Sequence, residues 1–212
     1  MRSATCAVAC LMVFAACEAD AQTCAGAPSL RDKPMQGGLA AAFVGDRHDV
    51  GGAFTFGTPS LFGGVGLSAT HISFLGTAPT FSALVGTEIP SSDHPVFTCP
   101  LFQVAYSTGP DFDPFDATTF GFRTGVSVGA IVVERRAMAV IPTFALAVLY
   151  DRGTVSFQDF EATNSVWSGV ATFGAGFVFN RYLSVIPALE IPFSAGAAET
   201  GFSFRWIVGF GR

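Results

Sequence analysis

A histidine flanked by two aspartates comes nearest in this chain to catalytic machinery. His48 stands between Asp46 and Asp49, in a segment that we expect to form a turn. A general base needs a nucleophile or substrate within hydrogen-bonding reach, but no serine nucleophile motif lies beside His48, and His71 and His94 are expected in other segments. Phosphate-binding loops, zinc clusters and haem-attachment motifs are also missing from the sequence. We therefore expect a protein that is not an enzyme and needs no cofactor.

Acidic residues are concentrated in two further segments that read as loops. They are Asp111, Asp113 and Asp116 in the first, and Asp151, Asp159 and Glu161 in the second. Clustered carboxylates can bind Ca²⁺, but this spacing matches no EF-hand loop. We therefore expect solvated loops and no metal site.

The first 21 residues have the three parts of a secretory signal peptide. Arg2 is followed by an apolar stretch over residues 4–16 and by a small-residue site at residues 19–21, which predicts cleavage before Gln22. The alternative is a lipoprotein signal with Cys17 acylated, although a Phe stands where that signal needs an aliphatic residue.

Composition indicates a membrane protein built from strands. Half of the residues are hydrophobic and 13% are charged, about half the charged share of a soluble domain. The chain contains 23 Phe and 24 Gly, whereas membrane-spanning helices show long Leu-rich runs. Its formal net charge of −5 offers no basic surface to a phosphate backbone, so we expect no nucleic acid partner.

From residue 36 onward the side chains alternate with a period of two, which is typical of β-strands. In the last segment, the even positions from Phe202 to Phe210 are bulky, and most odd positions between them are small or polar. A soluble sandwich would turn the bulky face toward its core and the polar face toward water. Here the face opposite the aromatic one holds Gly, Ser and a few charges, which suits a narrow lumen, while the aromatic face suits lipid. This inversion predicts a transmembrane barrel.

Turn residues divide this region into ten strands. The predicted ranges are 36–45, 50–58, 61–74, 80–89, 96–107, 119–133, 137–150, 164–179, 182–193 and 201–211. Eight strands are the alternative, because the first four segments have the weakest patterns. Membrane helices are disfavoured, because turn residues interrupt the uncharged stretch between Asp49 and Glu88 before it reaches the roughly 20 residues that a helix needs.

The signal peptide, the alternating strands, the Gly-rich face and the aromatic strand Phe202–Phe210 together resemble small bacterial outer-membrane β-barrel families of the opacity-protein and OmpA-like type. The resemblance implies an all-β fold, a closed antiparallel up-and-down transmembrane β-barrel, in the outer membrane. It also implies outer-membrane lipid and the barrel-assembly machinery as partners, and we expect a monomer. The predicted parts are a cleaved signal peptide (1–21), a periplasmic N-terminal segment (22–35) and the barrel (36–212).

Three charged residues, Arg123, Glu190 and Arg205, fall on the predicted lumen face. If Phe193 pairs with Phe202, Glu190 lies directly opposite Arg205. Because an unpaired buried ion costs several kcal/mol, we expect an ion-paired cluster that holds the lumen shut, with a selectivity constriction as the alternative. Two more polar residues are expected lower in the lumen, Glu88 and Gln103.

Removal of the signal peptide leaves two cysteines, Cys24 and Cys99, in an oxidising compartment. A disulfide and two separate thiols are equally compatible with the sequence alone. The predicted topology favours the disulfide, because Cys24 precedes the first strand and Cys99 begins the fifth strand on the same periplasmic side. The bond would pin the N-terminal segment across the inner mouth of the barrel as a lid or plug.

These features lead to three functional hypotheses. The first is a non-enzymatic outer-membrane barrel with a structural or surface-interaction role, the second is a narrow channel for small solutes, and the third is a hydrolase sited at the rim. Conductance in planar bilayers separates the first two, because a closed lumen carries no current.

Overall fold

The computed structural model describes residues 23–73, 76–92, 94–109, 116–135, 137–157, 160–193 and 200–211. The predicted signal peptide, its cleavage site and the alternative lipid attachment at Cys17 lie outside the described residues. Asp111, Asp113 and Asp159 of the acidic segments lie outside them as well.

Ten long antiparallel strands form the wall of a closed barrel. They are β1 (Met35–Val44), β2 (Arg47–Thr58), β3 (Leu61–Ile72), β4 (Gly76–Gly86), β6 (Val96–Thr108), β7 (Asp116–Ala130), β9 (Met138–Phe157), β10 (Phe160–Phe179), β11 (Leu183–Pro192) and β12 (Gly201–Phe210), with two short strands between them, β5 (Ile89–Pro90) and β8 (Val133–Arg135). The prediction of an all-β, closed up-and-down barrel of ten strands is therefore confirmed, and the alternative of eight strands is wrong.

The barrel closes where its last strand meets its first. β12 pairs with β1 from Met35 opposite Phe210 to Val44 opposite Gly201, and β10 pairs with β9 on the other side of the ring. Closure removes the free edge that an open sheet would present to other chains. It also brings the start of β1 and the end of β12 to one end, which we call the terminal mouth; the other end is the opposite rim.

The two faces of the wall differ in size and polarity, as the alternation predicts. On β12, Phe202, Trp206 and Phe210 are 40%, 43% and 48% exposed on the outer face, whereas the inward side chains of Arg205 and Ile207 are 6% and 4% exposed. The same alternation continues around the ring, so that the wall is apolar outside and mostly small or polar inside.

β9 and β10 are longer than predicted, with twenty residues each. Residues 151–163 were expected to form a loop, but Asp151 to Phe157 pair in register with Phe160 to Val166. The Thr154 and Thr163 hydroxyl oxygens lie 3.2 Å apart across this hairpin. The segment contains turn-forming and charged residues such as Asp151 and Gly153, which favoured a loop, but its backbone pairs as a ladder all the same. The predicted loop is therefore a hairpin that extends past the opposite rim.

The helical element of the described chain is a single 3₁₀ turn, Thr23–Ala25. In the part of the chain that the structure covers, no helix has the length and apolar character needed to cross a membrane.

Candidate functional site

Residues 23–34, which we call the plug, lie inside the terminal mouth. The 3₁₀ turn contacts β6, β7 and β9 from the lumen side. Ala27 is completely buried against Ile186 of β11 and Ile207 of β12. Leu30, 1% exposed, packs on Phe62 of β3. The plug therefore rests on strands from all around the ring.

Two glycines of the wall provide the space for this segment. A Cβ atom added at Gly129 of β7 would collide with the carbonyl oxygen of Thr23 and lie 2.8 Å from the Cα of Cys24. One added at Gly176 of β10 would collide with the backbone of Gly26. The sequence suggested that lumen glycines suit a narrow barrel; in the structure, these two allow a second layer of backbone to lie directly on the wall.

The β10–β11 ladder is interrupted beside this contact. Its pairing stops at Gly174 opposite Ala188 and resumes at Phe177 opposite Val185. Pro187 lies in this gap and has no N–H to donate, so the wall loses a ladder bond at that point. The backbone of the plug at Gly26 packs against the same stretch of wall.

A buried carboxylate fastens the plug from the side. Glu88, which follows β4 and is 5% exposed, accepts hydrogen bonds from the backbone N–H of Thr23 (3.3 Å) and from the hydroxyl of Ser29 (3.1 Å). Burial raises the pKa of Glu88 above its ordinary value; the two hydrogen bonds lower it, and the charge of Asp32 raises it further. Glu88 was expected low in the lumen, and in the structure its hydrogen-bond partners belong to the plug.

Two longer side chains fix the other end of the plug. Gln36, at the start of β1, donates from Nε2 to the carbonyl oxygen of Pro28 at 2.6 Å. Lys33, the single lysine of the chain, donates from Nζ to the carbonyl oxygen of Gly211 at 2.8 Å and lies 4.1 Å from the ring centre of Tyr182. The plug is thereby joined to both ends of the barrel sequence.

The structure joins the sulfur atoms of Cys24 in the plug and Cys99 in β6, whose Cα atoms are 6.0 Å apart. Both residues are 0% exposed. Their sulfurs and a carboxylate oxygen of Glu88 form the one group of three potential metal ligands found among the described residues. With the sulfurs bonded to each other, neither is available as a thiolate ligand. The positions are those that a disulfide requires, and the bond in the expressed protein stays a prediction.

The three charged residues predicted in the lumen all have buried side chains there: Arg123 is 3%, Glu190 9% and Arg205 6% exposed. Their expected arrangement is wrong in one respect. Glu190 lies opposite Gly201, and Arg205 lies opposite Ile186, so Glu190 and Arg205 are not direct cross-strand neighbours.

A second set of lumen charges was not foreseen as a cluster. Arg47 and Asp49 of β2 form an ion pair with Nε and Oδ2 3.1 Å apart, and Asp49 is 2% exposed. Asp151, expected in an outer loop, is 6% exposed in β9 and close enough to Arg47 for electrostatic attraction. Because β2 and β9 are five strands apart in either direction around the ring, these side chains reach toward each other across the lumen. Charged side chains therefore extend into the lumen from opposite walls.

Comparisons with known proteins give similarity in architecture only. No protein-family model matches the chain, and no curated protein matches it. Among solved structures it is similar to the N-terminal β-barrel domain of Pseudomonas aeruginosa OprF, with TM-score 0.39, 9% identity and coverage of 84% of this chain and 98% of that one. It is also similar to Ail, the attachment invasion locus protein of Yersinia pestis, with TM-score 0.39, 8% identity and coverage of 82% of this chain and 91% of that one. Neisserial surface protein A has TM-score 0.38 and 10% identity over 83% of this chain and 94% of its own. The outer membrane protease OmpT from Escherichia coli has TM-score 0.41 and 7% identity over 84% of this chain and 94% of its own.

The histidine and the two aspartates singled out in the sequence do not all lie on the same side of the wall. His48 lies within β2 and not in the turn, and its exposed side chain is on the outer face. Asp49 is the next residue and faces the lumen, because successive side chains of a strand point to opposite faces. The wall of the barrel thus separates the imidazole from this carboxylate. His94 lies at the other end of the barrel, between β5 and β6.

Proposed function

We propose that this protein is a closed, non-enzymatic barrel of the bacterial outer membrane with a structural or surface-interaction role. The observation that carries the proposal is the plug, which fills the terminal mouth and is tied to the wall by packing, by Glu88 and by the Cys24–Cys99 contact.

The outer membrane is supported by the outer face of the wall. Leu39, Leu61 and Phe193 are 66%, 64% and 62% exposed, within a surface that is apolar around the ring. A monomeric soluble protein rarely exposes a continuous apolar surface of this kind, whereas a membrane barrel requires it. Tyr150 and Trp167, with ring centres 4.9 Å apart, lie on this face below the β9–β10 extension, where interfacial aromatic residues are usual.

Closure is supported at two levels of the lumen. The plug blocks the terminal mouth, and the attraction between Arg47 and Asp151 acts across the lumen between opposite walls. A narrow channel is disfavoured, because a solute would have to displace a segment held by buried contacts. The placement of His48 outside and Asp49 inside likewise supports a protein without hydrolase activity.

A surface role is supported by the β9–β10 hairpin. Residues 161–165 are exposed and mostly polar, and they belong to a strand that continues past its pairing with β11. With the terminal mouth facing the periplasm, this hairpin projects away from the cell. A rigid paired extension is better suited to contact a partner than a loop, because less conformational entropy is lost on binding.

Fractionation tests the location. We expect the mature protein in outer membranes, with faster gel mobility before boiling than after, because closed barrels resist detergent unfolding. Recovery in the soluble periplasmic fraction would contradict the proposal.

Planar-bilayer recordings test closure. We expect no steady current from the wild-type protein. A variant that lacks residues 23–34 and carries Cys99→Ser should show ion conductance, limited by the charged side chains that remain deeper in the lumen. The matched control is Cys24→Ser/Cys99→Ser, which removes the cross-link but keeps the plug. A steady wild-type conductance would favour the channel, and a deletion variant that stays closed would assign closure to the lumen side chains.

A further inference from the structure

Two of the three histidines of the chain lie side by side on the outer face of the barrel. The register of β2 with β3 places His48 directly opposite His71. Both side chains are exposed, and both residues lie next to the ends of their strands at the opposite rim. Directly opposed residues of antiparallel strands have Cβ atoms roughly 4.5–5.5 Å apart, so the two imidazoles can reach a common point.

The neighbours of each ring limit its orientation. The Nδ1 atom of His71 lies 3.2 Å from the Thr77 hydroxyl oxygen on β4, which leaves Nε2 of His71 to face away from that contact. The His48 ring packs edge-on against Phe43 of β1, with ring centres 5.5 Å apart. A hydrogen bond to one imidazole nitrogen fixes the ring so that the other nitrogen can act as a ligand.

We propose that His48 and His71 form a binding site for a divalent transition-metal ion such as Zn²⁺. Imidazole is a preferred ligand of Zn²⁺, Cu²⁺ and Ni²⁺, and two imidazoles at adjacent cross-strand positions bind one ion as a chelate. The remaining positions of a tetrahedral ion are open to water. The site faces outward beside the rim and is reached from outside the barrel without movement of the plug.

Isothermal titration with ZnCl₂ tests the site on the full mature protein, folded in a non-ionic detergent, purified without a histidine tag and kept non-reduced. The non-reduced state holds the Cys24 and Cys99 sulfurs out of the titration. We expect one saturable site per chain, and His48→Asn and His71→Asn should each weaken binding at least tenfold. Gel mobility before boiling checks that each variant is folded.

The matched control is His94→Asn, which removes the third exposed histidine at the other end of the barrel. This variant should bind Zn²⁺ as the wild type does. The proposal is overturned if the wild type shows no saturable binding, if His48→Asn and His71→Asn bind unchanged, or if His94→Asn loses binding to the same extent.

Discussion

Gly176→Ala is the substitution that addresses the plug most directly. The added methyl group would collide with the Cα and carbonyl oxygen of Gly26, which are backbone atoms and cannot rotate away. The plug must therefore shift from the wall at this point. The variant keeps both cysteines, Glu88 and every other residue that contacts the plug.

The expected size follows from the cost of overpacking a filled interior, about 1–3 kcal/mol. Since 1.4 kcal/mol corresponds to a factor of ten in an equilibrium constant, the ratio of undocked to docked plug should rise by roughly 5- to 150-fold. The barrel itself should keep its fold, because the strain is relieved by movement of the plug.

The rate at which a bulky phosphine reduces the Cys24–Cys99 bond reports on this ratio. Both residues are 0% exposed, so the reagent can react only when the plug opens. If opening and closing are fast relative to reduction, the rate scales with the open fraction, and Gly176→Ala should be reduced roughly 5 to 150 times faster than the wild type.

Gly174→Ala is the matched control. Gly174 is two residues away on the same face of β10, but its added Cβ would meet the Thr143 hydroxyl (2.8 Å) and the Ala188 Cβ (3.3 Å) of the wall and not the plug. It should be reduced at close to the wild-type rate. Equal rates for the two variants would show that the plug does not rest on Gly176.

Three further predictions concern the polar contacts. A non-reduced digest should give a Cys24 peptide linked to a Cys99 peptide in the mass spectrum. Loss of the bond should lower the free energy of unfolding by about 4 kcal/mol in the chain-entropy model. A free Cys24 thiol in protein from an oxidising compartment would contradict the cross-link. Burial raises the pKa of Glu88 when the plug is docked, so docking should be strongest below the ordinary pKa of a glutamate and should weaken as pH rises through the raised pKa. The rate of disulfide reduction should therefore increase with pH over this range, and Glu88→Gln should flatten the increase. An unchanged pH profile in this variant would exclude Glu88 as the group responsible. Arg47→Gln should lower the free energy of unfolding in denaturant by an amount toward the lower end of the ~3–5 kcal/mol expected for a broken buried pair. Asp151→Asn should lower it less, because only loss of the arginine leaves two carboxylates uncompensated. The reverse order would mean that Arg47 is not the shared partner.

Strand number and the facing of side chains could be predicted from the sequence because both depend on local patterns. Alternation of bulky and small residues assigned Phe202 and Arg205 to opposite faces, and turn residues placed most strand ends within a few positions. These signals repeat within each strand and do not depend on how strands are offset from one another.

Pairing across a long connection could not be predicted in the same way. The expected pairing of Phe193 with Phe202 is wrong, since Phe202 lies opposite Leu189. The offset between these two strands is set by the stagger of the whole closed ring, and the sequence of one hairpin does not determine that stagger. The error made Glu190 and Arg205 direct cross-strand neighbours, which they are not. The attraction between Arg47 and Asp151 was missed for a different reason, because Asp151 was expected in a loop and the two residues come from strands far apart in the sequence.

The position of the plug also constrains the order of assembly. The plug leaves the ribosome before any strand of the barrel, but Ala27 packs on Ile186 and Ile207, which belong to β11 and β12 at the far end of the strand order. Contacts between such distant segments form late, after the intervening chain has organised. The surface that holds the plug is complete only once β12 has paired with β1. A docked plug therefore indicates a closed barrel, whereas Cys24 stays accessible to reagents in a barrel that has not yet closed.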